Sequence, residues 1–244
     1  MNHLNGSSLW FICDLRFQKI EAPVDGESGP AEAIPLHEEV YAELRRRLIT
    51  GRIVPGVGLS TRGLAEELGV SQMPVREALS RLAADGAVEI SSKRRVQVTP
   101  MSPQRLDDLL RCRLLLEPVS ARLALPHIDR DRLARLHHWD NRMEAALKGG
   151  DVNDYMEGNY HFHFTLYAAH PGTLQNRLIE TLWLQFGPFM RVVYGRYGTS
   201  NLVDQHVLAL SAIEKGDEDA LAAAIHQDIA DGMGLIGRTG LADL

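Results

Sequence analysis

The stretch GNYHFHFTLYAAH, Gly158 to His170, carries three histidines in one segment of helical character. His161 and His163 stand two apart, which on a helix turns them about 200° from each other, so they do not share a site. Met156, Tyr160, His163 and Tyr167 recur at helical spacing, and Asn159 lies one turn before His163. His163 is therefore the inward candidate, with His161 on the opposite side. Downstream, Val203, His206, Val207, Leu210 and Ile213 form one stripe, and Leu221, Ile225, Asp228, Ile229 and Gly232 form another, with His226 pointing away. Three helices thus aim Asn159, His163, His206 and Asp228 at a bundle interior. Two imidazoles, a carboxylate and an amide oxygen suit Zn, Ni, Mn or Fe as divalent ions, with open positions for water or a ligand. Arg113 and Glu117, one turn apart, add a guanidinium able to hold a carboxylate. The alternative is a set of hydrogen-bonded core residues, the commoner fate of a lone inward histidine.

A second set of residues has nucleic-acid chemistry. Between Leu64 and Leu82 a short helix ends at Gly69, a tight turn follows, and a longer helix starts after Ser71. That is the layout of a helix-turn-helix, whose second helix enters the DNA major groove with its first turns. Val75, Leu79 and Leu82 make its buried stripe, which leaves Gln72, Met73 and Arg76 pointing outward. Arg76 can form bidentate bonds to guanine or hold a phosphate. Ser71 and the helix-start N–H groups suit a phosphate oxygen. Arg62 is a plausible backbone or base contact, and Lys93, Arg94 and Arg95 sit at the tip of a hairpin. A generic three-helix domain with solvated arginines remains the alternative at this level.

The elements that must position these groups follow from periodicity and punctuation. LHEEVYAELRRRLITG places Val40, Leu44 and Leu48 on one helical face, closed by Gly51. Ser60 or Thr61 can cap the next helix, Gly69 suits its end, and Pro74 falls in the first turn of the third, where a missing N–H costs little. AVEI and VQVT alternate as a two-stranded hairpin around SSKRR. After Ser102 the chain reads as helix, near 103–125, 129–148, 151–169, 173–195, 202–215 and 218–236. The expected fold is mainly α: an N-terminal winged helix-turn-helix with a short hairpin at 36–100 and an all-helical bundle of about six helices at 101–244. Residues 1–35 read as a flexible tail rich in Pro, Gly, Ser and Glu.

Composition bounds the rest. The 244 residues carry a net charge of −6. Residues 1–35 contribute −3, residues 36–100 contribute +2 and residues 101–244 contribute −5, so the only basic segment is the one with the helix-turn-helix. Two cysteines, Cys13 and Cys112, form no C-x-x-C pair, which fits a reducing cytoplasm. No segment approaches about 18 uninterrupted apolar residues, so no membrane span is expected. SSLWFICDL lacks a basic flank and a cleavage site and is not read as a signal peptide.

LSTRGLAEELGVSQMPVREALSRLAADGAVEI resembles the winged helix of the GntR family of bacterial transcription regulators. The R-x-L-A-x-x-L-G-V-S run, P-V-R-E-A-L-x-R-L and the following D-G occur together in order over roughly 36–100. The resemblance implies operator contacts at Arg62, Ser71, Gln72, Pro74 and Arg76. The family's glycine-bearing wing tip is replaced here by Ser92-Lys93-Arg94-Arg95, so the wing contact falls to side chains. Residues 103–237 are similar to the FCD effector domain through RLLLEPVSARLA, the N-x-x-F-H step at 159–163, HVLALSAIEKGD and the final helix. That resemblance implies a metal site beside a small organic-acid pocket, at Asn159, His163, His206 and Asp228. Asn159 stands where the family has Asp, and Asp228 where it has the last His. One carboxylate is therefore kept, but on another helix.

Together these readings give a cytoplasmic, homodimeric DNA-binding regulator of double-stranded operator DNA. Its operator affinity would respond to a small carboxylate held by Arg113, Asn159, His163, His206 and Asp228, beside a divalent metal. Tyr160, Trp183, Gln185 and Arg191 are further candidates to shape the pocket. A homodimer is also expected because one recognition helix reads only a half-site. The rival from another class is a helical-bundle metalloenzyme acting on a small carboxylate. The sequence shows no H-E-x-x-H, nucleophile elbow or phosphate-cradling glycine loop to support it.

Overall fold

The computed structural model describes residues 35–91, 95–197 and 204–238. Lys93, Arg94, Val203 and the N-terminal tail up to residue 34 lie outside the described residues. The element order is α1 (Leu36–Ile49), α2 (Thr61–Leu68), α3 (Gln72–Ala84), β1 (Val88–Ile90), β2 (Val96–Val98), then α4 (Pro103–Ala124), α5 (Arg130–Gly149), α6 (Val152–Tyr167), α7 (Thr173–Tyr197), α8 (Gln205–Lys215) and α9 (Glu218–Arg238). A winged helix-turn-helix precedes a helical bundle, as the sequence leads one to expect.

Local chemistry sets most boundaries. In α1, Val40, Leu44 and Leu48 face inward, while Glu38 and Glu39 in the first turn and Arg46 and Arg47 in the last match the helix dipole. Ser60 caps α2 by accepting the Gly63 N–H at 2.9 Å. Gly69 ends that helix at φ +69°, in the left-handed region that a side chain disfavours. In α3, Val75, Ala78, Leu79 and Leu82 are buried against α1. The hairpin is antiparallel, with Val88 opposite Val98 and Ile90 opposite Val96. Leu59 adds a bridge by exchanging both backbone hydrogen bonds with Val96.

In the bundle, Ser102, Asp129, Asp151 and Asp204 cap α4, α5, α6 and α8 through their side chains. Helix α4 runs through Pro118 without ending, with Pro118 buried. Helices α5 and α6 pack together, as do α4 with α9 and α8 with α9. The 25-residue α7 packs against both α1 and α4, so it joins the two halves. A core of Tyr155, Phe162, Leu166, Ile179, Trp183, Phe186 and Phe189 fills the interior.

Candidate functional site

The start of α3 presents a polar, exposed face. Gln72 and Arg76 are exposed, Met73 is 77% exposed, and Pro74 is half-buried beneath them. Ser71 occupies the N-cap position but makes no capping bond with its side chain, which leaves the first N–H groups of α3 to solvent or to a phosphate oxygen. Arg76 donates to Gln72 Oε1 at 3.3 Å, and Arg62 donates to Glu66 at 2.8 Å. Both contacts are solvent-screened and weak, so neither holds its arginine away from DNA. Arg95 is exposed at the base of the hairpin tip.

Within the bundle, α6, α8 and α9 bring three ligand atoms together. His163 Nε2 lies 3.2 Å from Asp228 Oδ2. His206 Nε2 lies 3.8 Å from Asp228 Oδ1 and 3.4 Å from His163 Nε2. All three atoms fall within 4.8 Å of one another, a grouping able to hold one metal ion. Asn159 is buried, and with Arg113, Trp183, Phe186, Met190 and Tyr194 it lines the small cavity on which His163 and Asp228 open. That cavity measures about 10 Å³, room for a water-sized species. A small organic acid requires these side chains to move apart.

The protonation states follow from the surroundings. Burial lowers the His163 pKa. Burial also pulls on His206, but the charges of Asp228 and Asp204 outweigh it and raise its pKa. Burial opposes ionisation of Asp228, yet His206 and His163 overcome it and bring its pKa to about 2. Asp228 is therefore a carboxylate facing two imidazoles. On the outer side of His206, Asp204 Oδ1 lies 3.6 Å from Nδ1 and also accepts the backbone N–H of His206 at 3.0 Å. Asp140 completes a second, more open group with Asp204 and His206.

On the far side of His163, Nδ1 lies 3.0 Å from the Tyr167 hydroxyl, which donates to Glu117 Oε2 at 2.8 Å. Glu117 also accepts from Trp183 Nε1 at 3.1 Å and from both Nε and Nη2 of Arg113. The Arg113 guanidinium lies over Phe186 at 3.8 Å and near Trp183 at 4.9 Å, within cation–π reach of both rings.

The sequence-derived residues fall out as follows. Arg113, Asn159, His163, His206 and Asp228 gather around one region. His161 lies outside it, stacked on Trp139 with ring centroids 4.3 Å apart. Val207 is 51% exposed rather than part of the inward stripe, because the buried face of α8 follows His206, Ala209, Leu210 and Ile213. Of the further pocket candidates, Trp183 lines the cavity and Tyr160 packs beside it in the aromatic core. Gln185 and Arg191 do not line it. Gln185 donates to the Asp85 carbonyl and accepts from Arg105, and Arg191 donates to Asn153 and packs on Gly51. Both belong to the seam between the two halves.

That seam contains a residue the sequence reading passed over. Glu157, on the same helix as His163, is 8% exposed and pairs with Arg46 of α1 and, at 3.1 Å, with Arg52. Glu180 of α7 pairs with Arg45 at 2.5 Å. Its helical neighbours Asn153, Asp154, Tyr160 and His161 are mostly polar, so the sequence carried no local signal for it, and its partners are more than a hundred residues away.

Comparison with known proteins places these features. Residues 36–98 match the description "Bacterial regulatory proteins, gntR family", and residues 108–231 match the FCD domain. The chain is 29% identical over 210 residues to the HTH-type transcriptional regulator McbR of Escherichia coli K12, covering 83% of this chain and 95% of that protein. It is 28% identical over 204 residues to the gluconate operon transcriptional repressor of Bacillus subtilis strain 168, covering 79% and 81%. The solved structure of E. coli McbR/YncC superposes with a TM-score of 0.79 at 26% identity, over 85% of this chain and 99% of that one. A GntR regulator structure from Rhodococcus sp. RHA1 shares the fold, with a TM-score of 0.67 at 22% identity over 82% and 96%. The relatives are regulators, which removes the metalloenzyme alternative.

Proposed function

The chain belongs to the GntR family of bacterial regulatory proteins and is a DNA-binding transcription regulator with an FCD domain, and we propose that a small organic acid bound beside a divalent metal in the bundle sets its operator affinity. The observation that carries this reading is the convergence of His163, His206 and Asp228 from three helices onto one point. Their chemistry fits a transition metal: two imidazoles and a carboxylate with an amide oxygen of Asn159 nearby. When bound, a divalent ion supplies open coordination positions and adds positive charge beside the cavity, which suits a carboxylate. Arg113, already fixed by Glu117, is the guanidinium that would orient it. The gluconate operon repressor, a relative named for a sugar-acid operon, supports the organic-acid class.

The reading assigns operator contacts to Arg62, Ser71, Gln72, Met73, Pro74, Arg76, Lys93, Arg94 and Arg95, on a DNA-binding domain spanning residues 36–100. The effector domain is residues 101–244. No described helix is long and apolar enough to cross a membrane. A homodimer is supported by an exposed apolar stripe on α4, where Leu115, Val119 and Leu123 are 72%, 48% and 43% exposed. Coupling is a population shift: effector occupancy favours one arrangement of the DNA-binding domain over another. Because α6 carries both His163 and Glu157, movement around the cavity reaches α1 through one rigid helix.

The test is operator affinity, by fluorescence anisotropy on a site selected from random DNA, with metal-loaded protein and a panel of small carboxylates. The reading expects at least one acid to change affinity by about tenfold or more. Constant affinity across the panel contradicts it.

A further inference from the structure

We propose that Gln185 and Arg105 are positioning residues for DNA reading: they clamp the end of the recognition helix α3 to the bundle, so that the bundle sets the separation of the two half-sites a dimer reads. Helix α3 ends at Ala84, and its last turn is closed within the chain, where Gly86 and Ala87 donate to the carbonyls of Ala83 and Leu82 at 3.0 Å. The carbonyls that follow the helix are taken by the bundle instead. Gln185 of α7 donates through Nε2 to the Asp85 carbonyl at 2.9 Å. Arg105, in the first turn of α4, donates through Nη2 to the Gly86 carbonyl and to Gln185 Oε1, each at 2.7 Å. The bonds from the guanidinium are charge-assisted and so among the stronger ones available. Gly86 adopts φ +73°, and a Cβ built there would lie 3.5 Å from Arg105 Nη2 and 3.7 Å from Gln185 Cδ. The end of α3 is thus packed against both side chains as well as bonded to them.

Other seam contacts lie along α1 and its end: Arg45 with Glu180 at 2.5 Å, Arg46 with Glu157, and Ile49 against Gly187. Contacts along one helix leave rotation about its axis open. The Gln185–Arg105 clamp lies on α3, off that line, and closes this freedom. The lever is long. Helix α3 has 13 residues, and Gln72 and Arg76 stand at the end away from the clamp. Over a helix of about 20 Å, a tilt of about 10° at the clamp moves the reading end by about 3.5 Å, close to the ~3.4 Å rise of one base pair. Neither Gln185 nor Arg105 is on the DNA-reading face, so the pair governs where α3 is held and not which base it reads. The spacing role rests on the homodimer reading above.

The experiment measures the affinity of full-length protein, by fluorescence anisotropy, for duplexes with two selected half-sites whose separation changes one base pair at a time, and for a duplex with one half-site. Wild type should prefer one separation over its neighbours by about tenfold or more, and Gln185→Ala should flatten that preference to under about threefold while binding the single half-site within about twofold of wild type. Arg105→Gln, which loses the charged donor, should flatten it in the same way and keeps the test open if Gln185→Ala folds poorly. A merely structural role would weaken all duplexes alike, the single half-site included. That result, or a spacing profile as sharp as wild type in the variants, overturns the proposal. Sedimentation equilibrium of the same samples separates it from the reading beneath it. A dimeric wild type with a flat profile overturns the clamp's role alone, whereas a monomeric wild type overturns the homodimer reading and the spacing role with it.

Discussion

Arg46 on α1 and Glu157 on α6 form an ion pair that ties the DNA-binding half to the helix bearing His163. Glu157 is almost fully buried and also takes Arg52 at 3.1 Å, so one carboxylate gathers two arginines, from the end of α1 and the loop after it. Glu157→Gln keeps the size of the side chain and removes the charge. It should leave metal uptake unchanged while shrinking the effector-dependent change in operator affinity to under about twofold, from the roughly 5–150-fold of ordinary allosteric coupling. Anisotropy titrations with and without effector measure this. A full-sized response in the variant would show that the signal travels elsewhere.

Gly187 gives an independent handle on the same seam. A Cβ built there would lie 2.4 Å from the backbone oxygen of Ile49, at the end of α1. Backbone cannot swing aside as a side chain does, so Gly187→Ala should push α7 from α1 and cost about 1–3 kcal/mol. Thermal unfolding should show a lower Tm. An unchanged Tm would mean that α1 and α7 do not approach this closely in solution.

Arg76→Ala should weaken operator binding by about 1–3 kcal/mol. The salt dependence separates its possible partners: loss of a phosphate contact lowers the salt slope by about one, whereas loss of a guanine contact relaxes specificity at one base pair. Wild-type affinity at matched salt would remove Arg76 from the contact list.

The α4 stripe predicts the assembly. Leu115 is 72% exposed in the single chain and lies one turn from Val119. Leu115→Asp would place a charge within an apolar contact and should shift the protein from dimer to monomer in sedimentation equilibrium. A variant that remains as dimeric as wild type would put the interface on another face.

The residues that declare themselves in sequence act locally. Ser60 and Gly69 bracket α2 through contacts within a few positions, and the hairpin follows from alternation alone. His163, His206 and Asp228 were legible because each lies on the apolar phase of its own helix, and three such phases in a bundle point to a shared interior. Glu117 and Tyr167 were seen as separate features, one as the partner of Arg113 and one as a core aromatic. Their contact depends on how α4 lies against α6, which periodicity within a helix does not encode. The misplacement of Gln185 and Arg191 has a similar cause. Helix α7 serves the bundle with one face, through Trp183, Phe186 and Met190, and the seam with another, through Gln185, Gly187 and Arg191, so membership of the helix says little about which. Val207 shows the limit of a stripe read by spacing: a neighbour of His206 in sequence, it faces outward once the phase of α8 is set by Ala209 and Leu210.

The central claim, that His163, His206 and Asp228 form a metal site inside a DNA-binding regulator, is tested most directly by elemental analysis. The comparison is between wild type and the His163→Ala/His206→Ala double variant, each purified without a histidine tag or chelator from metal-replete cells. The account predicts about one transition-metal ion per wild-type chain and a near-complete loss in the double variant, with two of the three converging ligands gone. A wild type free of metal, or a double variant that retains it, would contradict the account.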